Sequence, residues 1–209
     1  MANVIKLRKG LDVNLKGKAA KEEFQVKKPA VYALVPDDFT GVKVGDSLFV
    51  DKNHPEIKFV SPVSGRVTMV ERGDRRKVLS VRVEADAEQQ YVDFGKKNVG
   101  QMTAQEVKDL LLESGLFGFF RQRPYDVTAN PSDTPKAIFV SAFNSMPLAA
   151  DFEYVLRGRE ADFQAGLDAL AKMAKTYLGV SSKQTATALT AAKNVEINFF
   201  DGPAPAGNV

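Results

Sequence analysis

Along the first part of the chain, apolar positions come in short runs separated by turn residues. Ala30–Val35 is an apolar run halted by Pro36-Asp37-Asp38, and Ser47–Val50, Ile57–Val60, Arg66–Val70 and Val78–Ala85 follow it. In the last of these, Val81 and Val83 alternate with Arg82 and Glu84, the period-two pattern of a half-buried strand. Val44-Gly45-Asp46, Ser64-Gly65 and Arg72-Gly73-Asp74 punctuate the runs as turns. Strands this short at this spacing predict a small barrel or sandwich.

From Thr103 the period changes. TAQEVKDLLLESG places Thr103 and Glu106 in capping-box spacing and Gly115 at the C-terminal cap, with Val107, Leu110, Leu111 and Leu112 as the apolar stripe between them. Ala137–Phe143 is apolar throughout, as a strand covered on both faces would be. A long helix over Arg159–Thr176, a strand at Tyr177–Val180, a helix over Lys183–Lys193 and a strand at Val195–Phe200 complete a β-α-β-α-β order, which implies a parallel sheet. Ser181 or Ser182 is expected to cap the second helix, and Asp151, Glu153, Glu160 and Asp162 to complement helix dipoles. A domain boundary is read near residue 100, giving a β-domain over 1–100 and an α/β domain over 101–209. With three clear strands the second domain is short of a finished sheet, so a longer protein is expected.

Composition narrows the chemistry. Hydrophobic residues are 44% and charged residues 26%, the balance of a folded globular chain able to bury roughly 70% of its unfolded surface. A net charge of +3 does not mark a nucleic-acid binder. No run approaches the ~18 apolar residues of a membrane span, and the N-terminus lacks the apolar core of a signal peptide, so a soluble, cytoplasmic chain is expected. There is no cysteine and one histidine, His54. That excludes iron–sulfur ligation by thiolates, a Cys/His zinc site, disulfides and a Cys nucleophile. No GxGxxG, phosphate-binding G-x-x-x-x-G-K-[ST] or G-x-S-x-G loop occurs. The residues describe a module that binds, positions or assembles, with no metal site and no catalytic residues of its own.

VKVGDSLFVDK followed by FVSPVSGRVTMV resembles the lipoyl/biotinyl carrier fold, the barrel-sandwich hybrid. Gly45 and Gly65 suit its tight turns, and Pro62 a strand edge that donates no N–H. A carrier would attach its prosthetic group at Lys52, but KNHPEIKFVSP lengthens the link to Ser61-Pro62 and His54-Pro55 reshapes the tip, so the fold is expected without the swinging arm. Over the whole chain, IKLRKGLDVNLKG, KFVSPVSGRVTMVERGDRRKVLSVRVE, SGLFGFFRQRPY, AIFVSAFNSMPLAADFEYVLRGREADFQAGLDAL and VEINFFDGPAPAGN together resemble the A subunit of the sodium-translocating NADH:quinone oxidoreductases. That resemblance implies a subunit on the cytoplasmic side of a bacterial inner membrane, attached peripherally through the other subunits. The complex oxidises NADH, reduces ubiquinone and exports sodium ions, with its flavins and iron–sulfur centres carried elsewhere.

The second half is also similar to the C subunit of the Rnf electron-transfer complex and to the flavin-carrying, NADH-binding subunit of complex I, implying a Rossmann-like fold. An Rnf-type chain would carry its own NADH or flavin site. In the complex I relative a glycine-rich loop grips FMN phosphate, and its counterpart here is Ser114–Tyr125, where Phe117, Phe119 and Phe120 stand in place of small residues. FMN and NADH are therefore not expected on this chain. Phe117, Phe119, Phe120 and Arg123, with Arg121 and Tyr125 beside them, read either as core packing with solvated arginines or as a quinone-contacting or partner-contacting surface at a strand-end crevice.

Overall fold

The computed structural model describes residues 4–6, 31–32, 41–51, 53–74, 78–146 and 148–207. In chain order these form β1 (Val4–Lys6), β2 (Val31–Tyr32), β3 (Ser47–Val50), β4 (Lys58–Val60), β5 (Gly65–Arg72), β6 (Val78–Ala85), α1 (Ala104–Glu113), β7 (Arg121–Gln122), β8 (Val127–Thr128), β9 (Ile138–Ala142), α2 (Phe152–Leu156), α3 (Glu160–Met173), β10 (Thr176–Ser181), α4 (Thr187–Thr190) and β11 (Glu196–Asp201). Short 3-10 turns cover Val99–Gln101 and Leu116–Phe119. The chain folds as two compact units that interleave in sequence. An α/β unit takes residues 1–21, 98–107 and 135–209, and a β-rich unit takes 22–97 and 108–134. The division expected at residue 100 is a linear one, whereas these units interleave: the chain enters the α/β unit three times and the β-rich unit twice.

In the β-rich unit, β5 and β6 form an antiparallel hairpin with β2 on its far side, while β3 and β4 pair as a separate ribbon. The alternation read along β6 holds: Val81 and Val83 are buried and Arg82 and Glu84 exposed. Val42, Leu48, Val81 and Val83 make the core, with Phe49, Val63, Val67 and Val70 against it. Phe49 and Phe59 stack across the ribbon at 4.3 Å. Gly65 is required by close approach. Its φ is 158°, and a Cβ there would lie 2.0 Å from the Glu84 carbonyl oxygen. Buried Ser64 ties this corner to the following loop, its amide donating to Gln89 Oε1 (2.8 Å) while its hydroxyl oxygen accepts from the Gln90 amide (2.9 Å).

In the α/β unit, β9, β10 and β11 are parallel neighbours as the β-α-β-α-β order demands, and β1 adds a fourth parallel strand beside β11. The sheet therefore borrows its edge from the N-terminal residues, which the sequence pattern assigns to the β-domain. Leu178 aligns with Val140 and Ile197, and Val180 with Ala142 and Phe199. On that face they pack with Leu167 of α3, Leu189 of α4 and Phe152 and Leu156 around α2.

The helices differ in detail from their sequence reading. Gly158, at φ 78°, separates α2 from α3, where the sequence predicts only the second. Asp151 caps α2 by accepting from the Glu153 amide (3.0 Å), and Glu160 and Asp162 lie in the first turn of α3, as the dipole argument requires. The helix expected over Lys183–Lys193 contracts to the four residues of α4. Gln184 Oε1 accepts the amides of Thr185 and Ala186 (both 2.9 Å), and Ala186 takes the cap position expected of Ser181 or Ser182. Side-chain acceptors compete here with helix propagation.

Candidate functional site

The aromatic–basic segment begins where α1 ends. Thr103 and Glu106 form the expected capping box: the Thr103 amide donates to Glu106 Oε2 (2.8 Å) and the Glu106 amide to Thr103 Oγ1 (3.3 Å). Gly115 stops the helix at φ 73°, and a Cβ there would strike Val60 Cγ1 at 2.6 Å. The next turn, Leu116–Phe119, is thereby pressed onto β4, with Gly118 against the Phe59 ring. Phe117 is buried and stacks on half-buried Phe120 with centroids 5.3 Å apart. Phe119 points the other way and is 80% exposed.

A two-residue hairpin, β7–β8, follows. Asp126, at φ 53°, holds its turn: its carboxylate meets Arg121 Nε at 3.3 Å and Arg123 Nη1 at 3.6 Å, and its carbonyl oxygen accepts from Arg121 Nη2. Leu116, Tyr125 and Val127 are exposed beside Phe119 in sequence. The four residues expected to act together are thus divided by burial. Phe117 and Phe120 anchor the segment, and Phe119 and Arg123 face out.

The segment belongs to the β-rich unit, its first turn against β4, and not to the unit that holds the parallel sheet. Ligands of open α/β sheets sit outside the carboxyl ends of the strands. Here that end of β9 is filled by the chain's own Gly202–Gly207. Ser141 Oγ donates to the Gly207 carbonyl (3.0 Å) and Ser145 Oγ to that of Ala206 (2.7 Å). Ala204 and Ala206 are buried, and a Cβ on Gly207 would meet Phe143 Cδ1 at 2.2 Å. Packed backbone of the chain itself therefore occupies the space beyond the end of β9. Nothing short of the tertiary contacts points to Ser141, Ser145 and Gly207, because small residues in a loop carry no periodic signal.

Lys52 falls outside the described residues. At the β3–β4 tip Asp51 Oδ1 accepts from the amides of Asn53 (2.7 Å) and His54 (3.2 Å), and His54 Nδ1 stands 3.6 Å from Glu56 Oε1. Among the described residues no group of three His, Asp or Glu side chains converges as a metal-ligand set, and no helix is long and apolar enough to cross a membrane.

Comparison with known proteins covers both halves. Residues 5–86 match the family model of the NqrA N-terminal barrel-sandwich hybrid domain, and residues 102–209 that of the NqrA second alpha/beta domain. The chain is 32% identical over 219 residues to the A subunit of the Na(+)-translocating NADH-quinone reductase of Pseudomonas aeruginosa strain UCBPP-PA14, and 36% identical to that of Vibrio vulnificus strain YJ016. It is 33% identical over 224 residues to the same subunit of Yersinia pestis. These matches take in 98–99% of this chain and 49% of each relative, so the chain spans about half the length of the curated relatives it matches.

Proposed function

The chain belongs to the NqrA family, the A subunits of the Na(+)-translocating NADH-quinone reductases, and from that premise we propose that it serves such a complex as a subunit without redox cofactors. The complex oxidises NADH, reduces quinone and moves sodium ions, and this subunit is held peripherally, on the cytoplasmic side, through its partner subunits. Its α/β unit is read as a Rossmann-like relative of the complex I flavoprotein that has lost its nucleotide site. The Gly202–Gly207 segment tied over the end of β9 supports that reading.

The observation that carries the role is Phe119. A phenylalanine 80% exposed costs solubility for no packing return, yet the turn that carries it is packed through Gly115, Gly118 and buried Phe117. Exposed aromatics beside arginine are the anchors of protein interfaces. A quinone ring would be held in a concave site, whereas Phe119 stands on an outward-facing turn, so contact with another subunit is the better-supported version. Phe119→Ala and Arg123→Ala in the assembled complex test it. Loss of assembly is the expected result. Normal assembly with lost quinone reduction would move the role to the ligand, and normal assembly with normal turnover would end both versions.

A further inference from the structure

Strands of a parallel sheet are apolar on both sides because a layer of structure covers each face. In the α/β unit, α2, α3 and α4 supply one layer over Val140, Ala142, Leu178 and Val180. The opposite face carries Phe139, Tyr177 and Phe200, with Gly179 in register with Ser141 and Asn198 between them. The Phe139 and Tyr177 rings stack at 5.2 Å with 15° between their planes. The Phe200 ring lies over Gly179, its Cε2 3.0 Å from where a Cβ would be, so the missing side chain makes room for an aromatic one. At the border Lys175 Nζ pairs with Glu196 Oε2 at 2.9 Å and sits 4.7 Å from the Tyr177 ring centroid. Phe139 is 69% exposed. An aromatic strip with a charged border has the anatomy of an interface core and rim.

We propose that this face docks a second layer of polypeptide, contributed by the half of the NqrA polypeptide that this chain does not span. The curated relatives match 98% of this chain but only 49% of their own length, so about as many residues again accompany these two units in the family. Polypeptide joined to the same chain reaches the face at high effective concentration, which a separate protein does not. The inference rests on family membership and not on the role assigned to Phe119, which lies in the other unit.

The absence of cysteine makes a direct test clean. Phe139→Cys and, as a control in the β-rich unit, Leu79→Cys are introduced singly into the chain. Each is also introduced into the same chain fused to the second half of the Vibrio vulnificus NqrA relative with its cysteines replaced by serine. Maleimide labelling of Phe139→Cys is expected to slow at least tenfold in the fusion, while Leu79→Cys labels at one rate in both. Phe139→Glu provides a second measurement: in the 209-residue chain it removes only the Tyr177 stack, so it should lower the melting midpoint of the fusion by several degrees more than that of the chain alone. Equal labelling of Phe139→Cys in both proteins overturns the proposal. So does slow labelling already in the dilute chain, which would mean the chain covers its own face. Slowing that appears only on concentrating the chain, the mark of a second copy, or equal protection of Leu79→Cys would overturn it too.

Discussion

Phe117 and Phe119 are two residues apart and opposite in fate. Replacing buried Phe117 with alanine should cost about 3–5 kcal/mol, and Phe119→Ala, at 80% exposure, within about ±0.5 kcal/mol. Urea denaturation of the two variants measures both, and equal losses would mean Phe119 is core. Gly65→Ala must displace the Glu84 carbonyl and adopt a positive φ, so a loss of about 3 kcal/mol or more is expected in the same experiment. Glu160 carries a pH dependence. Hydrogen bonds from its own amide and from that of Gly158, then the charge of Arg157, hold its carboxyl below the usual carboxylate range. A folded value below the unfolded one, about 4.3, contributes stability above that pH, and the contribution fades as pH falls through the folded value. The Glu160 resonance should therefore titrate below about pH 4.3, and Glu160→Gln should flatten the acid limb of the melting curve. A midpoint at or above about 4.3 would contradict the bonding at this helix start.

The start of α1 is readable because its cap is a recognisable local motif. The Thr103–Glu106 box is written in four consecutive residues, and Thr103→Ala should remove about 0.5–2 kcal/mol, read from the thermal midpoint. The length of α4 was not readable, because a glutamine cannot be seen from sequence to turn back on the next two amides. The same holds for Gln164, whose amide joins α3 to the loop before β11 by accepting from the Lys193 amide (2.9 Å) and donating to Asp168 (2.7 Å). Leu167, the buried residue of α3, is the element's anchor on the sheet. Leu167→Ala should cost about 2–5 kcal/mol and open β10 amides to hydrogen exchange. Unchanged protection of β10 would show that α3 does not brace the sheet.

At the scale of the whole chain, interleaving has a consequence for dissection. A fragment of residues 101–209 would lose β1 from the edge of its sheet and would carry residues 108–134 without the strands they pack on. It should bind ANS and melt without a cooperative transition, whereas the 209-residue chain melts cooperatively. A fragment with native-like cooperativity would show that the linear boundary describes the folding units better than the compact ones do.

What the sequence determined by itself is what repeats or caps within a few residues. That includes the period-two strand β6, the capping box and Gly115, the parallel β9-α3-β10-α4-β11 order, and the resemblance carried by five blocks to the family the chain belongs to. Period and capping are set by neighbours, so they survive in one dimension. Tertiary structure alone decided that β1 completes the parallel sheet, that the Leu116–Phe119 turn packs on β4, and that Gly202–Gly207 closes the end of β9. Each of these pairs residues tens to nearly two hundred positions apart. Their partners are chosen by burial and by the space a glycine leaves open, which no local pattern encodes.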